Sequence, residues 1–526
     1  MQIFMHKVGH IALSFKGAKG GDFVIYISNI EKQYGDKLLF KGLNLEIYDG
    51  ERVGIVGANG TGKSTLLKII AGEEYPNSGS VRVDGKIGYL KQITEYSSAD
   101  FLKLAQEPDF IKEFMEIKSR LHVSGDIDFS EERLHNLSGG EKTKLMLAEI
   151  LCKRPEILLL DEPTNHMDLA GVDWLIDALE LYEGTVLVVS HDRYFLNKCV
   201  HRIVELENGK VKEFDGAYDD YHFQKQQEYQ SLVKRYENQQ SLERKIDKQI
   251  DVLNSWASKG EREARRQGGM MSDSKIMGAD ITAKVRASKL ASRAQAKISR
   301  LEHLKDDFIE KPYAEGEVHY RLESEPFKGK ILVRAENICK KYGSKVLFKP
   351  SNFTIGAGEK IALVGENGSG KTTLIKMILG LEPYDGEIYV SPAVKIAYLS
   401  QDVFDLDENL TIMQKACQFD KQYRTLFLSN LVNMNMSRQS FDRKISTLSL
   451  GERMRVKMCE LVLSDYNFLI MDEPTNHLDL NNKIFLEKIL KDYKGCLLIV
   501  SHDRTLTKNV CNAILTIENS EIKRKE

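Results

Sequence analysis

Apolar positions along this chain follow two different periods. Runs such as Arg52 to Val56, Ile157 to Leu160, Val186 to Val189, Lys360 to Val364 and Leu497 to Val500 are short, apolar and largely β-branched, the pattern of fully buried strands. Phe23 to Asn29 and Ile331 to Asn337 read as extended segments, each followed by a turn at Gly35 or Gly343. Leu66 to Ile70 and Leu374 to Ile378 read as helices that follow glycine-rich loops. From about residue 222 to 310 the strand pattern stops and a helical period takes over. Tyr236, Ile246, Ile250, Leu253 and Trp256 fall near one face, as do Ala294, Ile298, Leu301, Leu304 and Phe308 on a later stretch. The two runs predict an antiparallel helical hairpin whose arms, at about 35 to 40 residues each, reach roughly 50 to 60 Å. Gly268 to Met271 and Met277-Gly278 place a flexible, partly apolar loop at its far end.

The strand–loop–helix unit occurs twice. Gly57-Ala58-Asn59-Gly60-Thr61-Gly62-Lys63-Ser64 returns as Gly365-Glu366-Asn367-Gly368-Ser369-Gly370-Lys371-Thr372. Lys63 and Lys371 lie 308 positions apart, Gln92 and Gln401 lie 309 apart, and Ser138/Ser449, Asp161/Asp472 and His191/His502 lie 311 apart. Five features in one order at nearly one offset mean a duplicated domain. A chain of 526 residues exceeds what a single core supports, so the expected organisation is α/β domains at 23–221 and 311–526, joined by a helical linker at 222–310. Residues 1–22 fit no motif and read either as a mobile N-terminal extension or as the product of an upstream start, with no function assigned.

A loop of the form G-x-x-x-x-G-K-[ST] between strand and helix turns main-chain N–H groups and the helix dipole onto phosphate oxygens. Gly57, Asn59, Gly60, Thr61, Gly62 and Gly365, Asn367, Gly368, Ser369, Gly370 would form the cradle, with Thr65 and Thr373 at the helix start. Lys63 and Lys371 would neutralise the β- and γ-phosphates, while Ser64 and Thr372 offer hydroxyls to Mg2+. Ile157 to Leu160 and Phe468 to Met471 end in the acid pairs Asp161-Glu162 and Asp472-Glu473 at the strand end where open α/β sheets bind ligands. Asp161 and Asp472 would hold the metal, and Glu162 and Glu473 would orient and polarise the attacking water. Leu137 to Glu141 and Leu448 to Glu452 precede helices expected to begin near Lys142 and Arg453. Their serine and glycine suit a γ-phosphate held by a partner domain.

With these motifs together, the chain resembles the ATP-binding-cassette ATPases over about four-fifths of its length. The resemblance implies two P-loop ATPase domains in a head-to-tail, intramolecular sandwich, with the chain monomeric. ATP on Lys63 would be completed by Ser449 and Gly451, and ATP on Lys371 by Ser138 and Gly140. It further implies that Tyr34 and Tyr342 stack on adenine and that Gln92 and Gln401 contact the metal and water. His191 and His502 would act as γ-phosphate switches. Two departures stand out: Leu450 replaces a glycine and is assigned to packing, and Met167 stands where the other half has Leu478.

Glu162 to Asp168, Ser190 to Leu196, and Glu213 to Tyr221 entering a helical linker narrow the resemblance to the ABC-F proteins, tandem cassettes without membrane domains. That resemblance implies a linker in the tRNA exit site of the 70S ribosome, touching P-site tRNA and 23S rRNA. The glycine- and methionine-containing tip and Leu450 resemble the antibiotic-resistance branch, which protects the peptidyl-transferase centre from lincosamides, pleuromutilins and streptogramin A. A housekeeping translation factor acting on stalled ribosomes is the alternative within the family. The ATPase subunit of a membrane transporter is a more remote one, and it gives no reason for a basic hairpin between the cassettes.

Charge supports RNA contact only locally. The net formal charge is −2, yet residues 259–300 hold eleven Lys and Arg against four acids. Seven cysteines without C-x-x-C spacing predict free thiols in a reducing compartment, hence the cytoplasm. No apolar run approaches the roughly 20 residues of a membrane span, and no h-region suggests a signal peptide. A chromosome or repair ATPase would be expected to carry longer coiled coils or zinc-ligating cysteines.

Overall fold

The computed structural model describes residues 23–35, 37–91, 112, 114, 139–165, 167–267, 274–305, 308–309, 329–400, 406–434, 436–464, 466–476 and 478–525. These fall into two compact units, one within 1–221 and 316–526 and one within 222–315. Gln92, Ser138, Gln401, the extension 1–22 and residues 268–273 of the expected hairpin tip lie outside the described residues, as does the Leu450 side chain.

In the first cassette the elements are β1 (Phe23–Tyr34), β2 (Lys37–Tyr48), β3 (Arg52–Val56), α1 (Lys63–Ile70), β4 (Ser78–Val83), β5 (Ile87–Leu90), α2 (Gly139–Cys152), β6 (Ile157–Asp161), α3 (Leu169–Glu180), β7 (Thr185–Val189), α4 (Arg193–Cys199), β8 (Arg202–Glu207) and β9 (Lys210–Asp215). A six-stranded sheet runs β5-β6-β7-β3-β8-β9, and a three-stranded antiparallel sheet runs β2-β1-β4. β5, β6, β7, β3 and β8 pair in parallel and β9 closes the edge antiparallel to β8. Every residue of β6 and β7 is buried, which explains why these strands read as unbroken apolar runs rather than alternating ones. Ile25, Ile27, Phe40, Leu66 and Leu67, all at most 1% exposed, lock the small sheet and α1 onto one face of the large sheet.

Helix α5 (Tyr218–Gln267) leads out of the first cassette and α6 (Ser274–Lys305) returns. The second cassette then repeats the plan: β10 (Ile331–Tyr342), β11 (Lys345–Gly356), β12 (Lys360–Gly365), α7 (Lys371–Ile378), β13 (Asp385–Val390), β14 (Ile396–Leu399), α8 (Ile412–Ala416), α9 (Lys421–Asn433), α10 (Leu450–Leu463), β15 (Phe468–Asp472), α11 (Leu480–Asp492), β16 (Cys496–Val500), α12 (Arg504–Val510), β17 (Ala513–Glu518) and β18 (Glu521–Lys525). Its sheets run β14-β15-β16-β12-β17-β18 and β11-β10-β13, the same order strand for strand.

The helical unit differs from the sequence expectation in two details. Helix α5 is 50 residues long and α6 is 32, and α5 begins four residues before the expected start of the linker, inside the first cassette, where Tyr218 packs into its core. Met277 and Gly278 lie within α6 rather than in the interruption, since one glycine costs a helix only about 1 kcal/mol. Antiparallel pairing is fixed by side chains: Gln239 brackets Ile309, accepting from its N–H at 2.9 Å and donating to its carbonyl at 3.2 Å, while Lys297 donates to Gln249. Tyr236, Ile246, Ile250 and Leu253 are half-buried, but Trp256 stays 55% exposed.

Phe348 carries the second cassette's small sheet against its phosphate loop. It is fully buried, and a β-carbon added to Gly370 would sit 2.7 Å from its ring. Phe348→Ala should therefore remove about 3–5 kcal/mol of stability. Differential scanning calorimetry should show a lowered midpoint for the cassette transition; an unchanged scan would contradict this packing.

Candidate functional site

Each phosphate loop hangs between the end of a central strand and the start of a helix. Gly62 and Gly370 both cap their helices at φ 101°, a left-handed conformation that a side chain resists, and there a β-carbon on Gly62 would stand 2.8 Å from the Phe40 ring. Lys63 Nζ donates to the carbonyls of Gly57 at 2.9 Å and Ala58 at 3.0 Å. Lys371 Nζ does the same to Gly365 at 2.7 Å and Glu366 at 3.0 Å. Burial lowers the pKa of both lysines. A desolvated ammonium held on its own loop is matched to the charge of a phosphate chain.

Ser64 Oγ donates to Asp161 Oδ1 at 3.1 Å, and Thr372 Oγ1 to Asp472 Oδ2 at 2.7 Å. Two hard oxygen donors on separate elements meet in each cassette, the donor set that Mg2+ takes when substrate phosphates complete its shell. Ser64 with Asp161, and Thr372 with Asp472, would hold the ion. When bound, it supplies charge neutralisation at the β- and γ-oxygens.

The next residue in each half is the buried glutamate. Glu162 and Glu473 adopt φ 51° and 50°, rare for a side-chain-bearing residue, and donate their N–H groups to Val189 and Val500 at 2.8 and 2.9 Å. Their Oε2 atoms accept the main-chain N–H of His191 at 3.3 Å and His502 at 3.4 Å. Their Oε1 atoms lie 3.3 Å from the Nε2 of the same histidines and, among the described residues, accept no hydrogen bond. Burial pushes Glu162 up to about 7 against the pull of Lys63 and Lys483. Burial and Asp472 push Glu473 up to about 8 against Lys371. Burial and Lys371 hold His502 down at about 4, and burial with Lys63 and Lys483 holds His191 well below its ordinary value. A neutral imidazole beside a carboxyl near its midpoint at neutral pH suits taking a proton from water.

Tyr34 and Tyr342 lie half-exposed at the end of the small sheets, and each is held in the same way. The Tyr34 hydroxyl donates to Glu74 and the Tyr342 hydroxyl to Glu382 at 2.7 Å. Lys32 and Lys340, each 2.8 Å from the same glutamate, stand 5.0 and 4.7 Å from the ring centroids. The sequence reading missed these Lys–Glu pairs. Their doubling at an offset of 308 was the available signal.

Ser449 is the N-cap of α10, which starts at Leu450 rather than near Arg453; likewise α2 starts at Gly139 rather than near Lys142. A capping box explains the earlier start: Ser449 Oγ accepts from Glu452 N at 3.3 Å and Glu452 returns a bond to Ser449 N at 2.8 Å. Gly140 and Gly451 thus sit in first helical turns, where main-chain N–H groups have no intrahelical acceptor.

The cassettes touch through residues to which the sequence reading gave no role. Asp168 and Asp479 cap α3 and α11, accepting from Gly171 N and Asn482 N, and each also reaches across. Asp479 accepts from Asn59 N of the first phosphate loop and Asp168 from Asn367 N of the second, both at 3.4 Å. A polar cleft of about 580 Å3 has Lys371, Thr372, Glu473 and His502 on one side and Thr164, Asn165 and Asp192 of the first cassette on the other.

Comparison with known proteins agrees with this geometry. The ABC transporter family model matches twice, at residues 40–165 and 348–476, and a companion extension model of the same description matches residues 204–270. The chain is 36% identical over 504 residues to the ribosome protection protein VmlR of Bacillus subtilis (strain 168), spanning 95% of this chain and 88% of that protein. It is 29% identical over 555 residues to the energy-dependent translational throttle protein EttA of Mycobacterium tuberculosis, spanning 95% and 92%. In fold it is similar to an RNase-L inhibitor, with a TM-score of 0.60 at 21% identity over 93% of this chain and 87% of that one. Among the described residues no helix is long and apolar enough to cross a membrane.

The double substitution Glu162→Gln with Glu473→Gln keeps side-chain shape and removes the two buried carboxylates expected to align water. ATP binding, followed with a fluorescent analogue, should stay within about threefold, while turnover should fall by about 100-fold or more. Retained turnover would show that another group serves as the base.

Proposed function

Because the chain belongs to the ABC-F family of tandem ATP-binding-cassette ATPases, we propose that it is a ribosome-protection factor working in the cytoplasm. ATP closes the two cassettes on each other with Mg2+ at both sites, Glu162 and Glu473 activate water, and hydrolysis releases the protein from the ribosome. Tyr34 and Tyr342 stack on adenine, and the serine–glycine pairs Ser138/Gly140 and Ser449/Gly451 complete the site of the opposite cassette. Gln92 and Gln401 complete the metal and water contacts. The domain limits that go with this reading are 23–221, 222–310 and 311–526, and the chain acts as a monomer.

The observation that carries this reading is the helical hairpin set between two sites with equivalent hydrolytic groups. A transporter ATPase would have no use for it. Helix α5 alone, at 50 residues, is about 75 Å long. The basic residues of 259–300 suit a phosphate backbone, and the chain's likeness to VmlR, whose name states ribosome protection, favours the antibiotic-resistance branch. On this reading the hairpin enters the tRNA exit site, contacts P-site tRNA and 23S rRNA, and restores peptidyl transfer in the presence of lincosamides, pleuromutilins or streptogramin A. Likeness to EttA supports a second reading, a housekeeping factor for stalled ribosomes. Growth of a deletion strain separates them: selective drug hypersensitivity marks protection, and a translation defect without drug marks housekeeping.

Shortening the chain between Gln267 and Ile281 should abolish protection in a sensitive host, with minimum inhibitory concentrations returning to those of the empty vector. ATPase activity and co-sedimentation with ribosomes should survive, because every hydrolytic group lies in the cassettes. Full resistance from the shortened protein at equal expression would make the tip a spacer and remove the basis for drug protection.

A further inference from the structure

Asp168 and Asp479 are matching N-caps at the offset of 311, but α3 and α11 do not present the same side chains. At the offset of 311, Lys483 of α11 stands where α3 has Val172. Lys483 Nζ crosses the cassette boundary and donates to the main-chain carbonyl of His191 at 2.9 Å. His191 is the residue whose N–H and ring face Glu162 at 3.3 Å, so one cation of the second cassette grips the loop that holds the first cassette's glutamate. Val172, only 4% exposed, carries no donor for the equivalent carbonyl of His502.

Neighbouring ion pairs break the symmetry at the same place. Arg193 donates to Glu487 of α11 at 2.7 Å, whereas its counterpart Arg504 donates to Asp173 of α3; the positions matching Glu487 and Asp173 are Ile176 and Ile484. Arg193 is buried, with 9% of its side chain exposed, and Arg504 is looser at 33%. Lys483 and Glu487, one helical turn apart, therefore form a two-point clamp on the start of α4 and on the loop before it. Lys483 also borders the cleft of the second site, and its charge acts on Glu473 as well as on Glu162, so what singles out the first site is its hydrogen bond to the His191 carbonyl.

We propose that Lys483 is a positioning residue supplied in trans to the ATP site of the first cassette, and that the two ATP sites of this chain are inequivalent because only the first depends on it. The proposal rests on the reading that Glu162 and Glu473 each serve their own site. Lys483 fixes the His191 main chain and with it the distance between His191 and Glu162; its hydrogen bond goes to that loop and not to the first phosphate loop, so its loss should act on kcat rather than on KM.

The test uses the full-length chain in two backgrounds: Glu473→Gln, in which only the first site turns over, and Glu162→Gln, in which only the second does. Lys483→Met and Lys483→Arg are added to each, and ATP hydrolysis is measured against ATP concentration. In the first background Lys483→Met should lower kcat by about tenfold with KM within about twofold, and Lys483→Arg should restore most of it. In the second background both should stay within about twofold. Thermal unfolding is followed in parallel; if Lys483→Met is unfolded, Lys483→Gln carries the same comparison. Equal losses in both backgrounds would overturn the proposal in favour of general interface support, and no loss in the first would overturn it outright. If the double variant Glu162→Gln/Glu473→Gln hydrolyses ATP at the wild-type rate, the glutamate assignment fails and the proposal falls with it.

Discussion

A carboxyl kept almost dry at the end of a wholly buried strand is the constraint around which this molecule is arranged. Glu162 and Glu473 follow β6 and β15, whose five residues are all buried, so each acid emerges directly from the core. Leaving such a group unpaired costs several kcal/mol, and the surroundings answer with one ammonium from the phosphate loop, one main-chain N–H from the histidine and a backbone turned to φ near 50°. Burial wins that contest by a margin that leaves the carboxyls near neutrality instead of far above it. The strands must be apolar to exclude water, and the lysine, the aspartate and the histidine must converge on one strand end. The parallel sheet order places β3, β6 and β7 so that they do.

The same economy appears where the cassettes meet. Asp168 and Asp479 each use one oxygen to cap their own helix and the other to accept an N–H from the opposite phosphate loop. A helix start and a phosphate loop in different cassettes are thereby joined through a single side chain. Displacement of either loop loads the N-terminus of α3 or α11, and α11 in turn carries Lys483 and Glu487 against the first cassette. Each phosphate loop is thus tied to a helix of the opposite cassette by a hydrogen bond.

What was legible in the sequence divides along the same line. The phosphate loops, the acid pairs and the paired histidines could be placed because their motifs are contiguous, and because apolar runs of five residues mark buried strands in both halves. The hairpin was legible from its period. Its arm lengths were not, since Tyr218 looks like the end of a turn until it is seen buried in the first cassette. Helix starts moved three residues earlier because the capping box of Ser449 and Glu452 overrides the weak helix preference of glycine. Contacts between cassettes stayed invisible: Asn59 and Asp479 are 420 positions apart, and no local pattern distinguishes an asparagine that meets a foreign carboxylate.

Duplication explains why the misses are instructive. After a domain is copied, residues held by the same local chemistry persist in both copies, and here the phosphate loops, acid pairs and histidines recur. Residues on the facing helices are free to diverge, because each need only complement the other copy. Val172 and Lys483, Asp173 and Ile484, Ile176 and Glu487 diverged in this way, apolar against charged at three aligned positions of α3 and α11. Complementarity between unlike surfaces also fixes which helix faces which, and it disfavours pairing of two identical first cassettes, since Arg193 would meet Ile176 in place of Glu487 and a buried cation would lose its hydrogen-bonded carboxylate, keeping only the more distant aspartate. The charge differences between α3 and α11 thus do for this tandem chain what symmetry does for a homodimer, and they leave its two ATP sites chemically alike but differently supported.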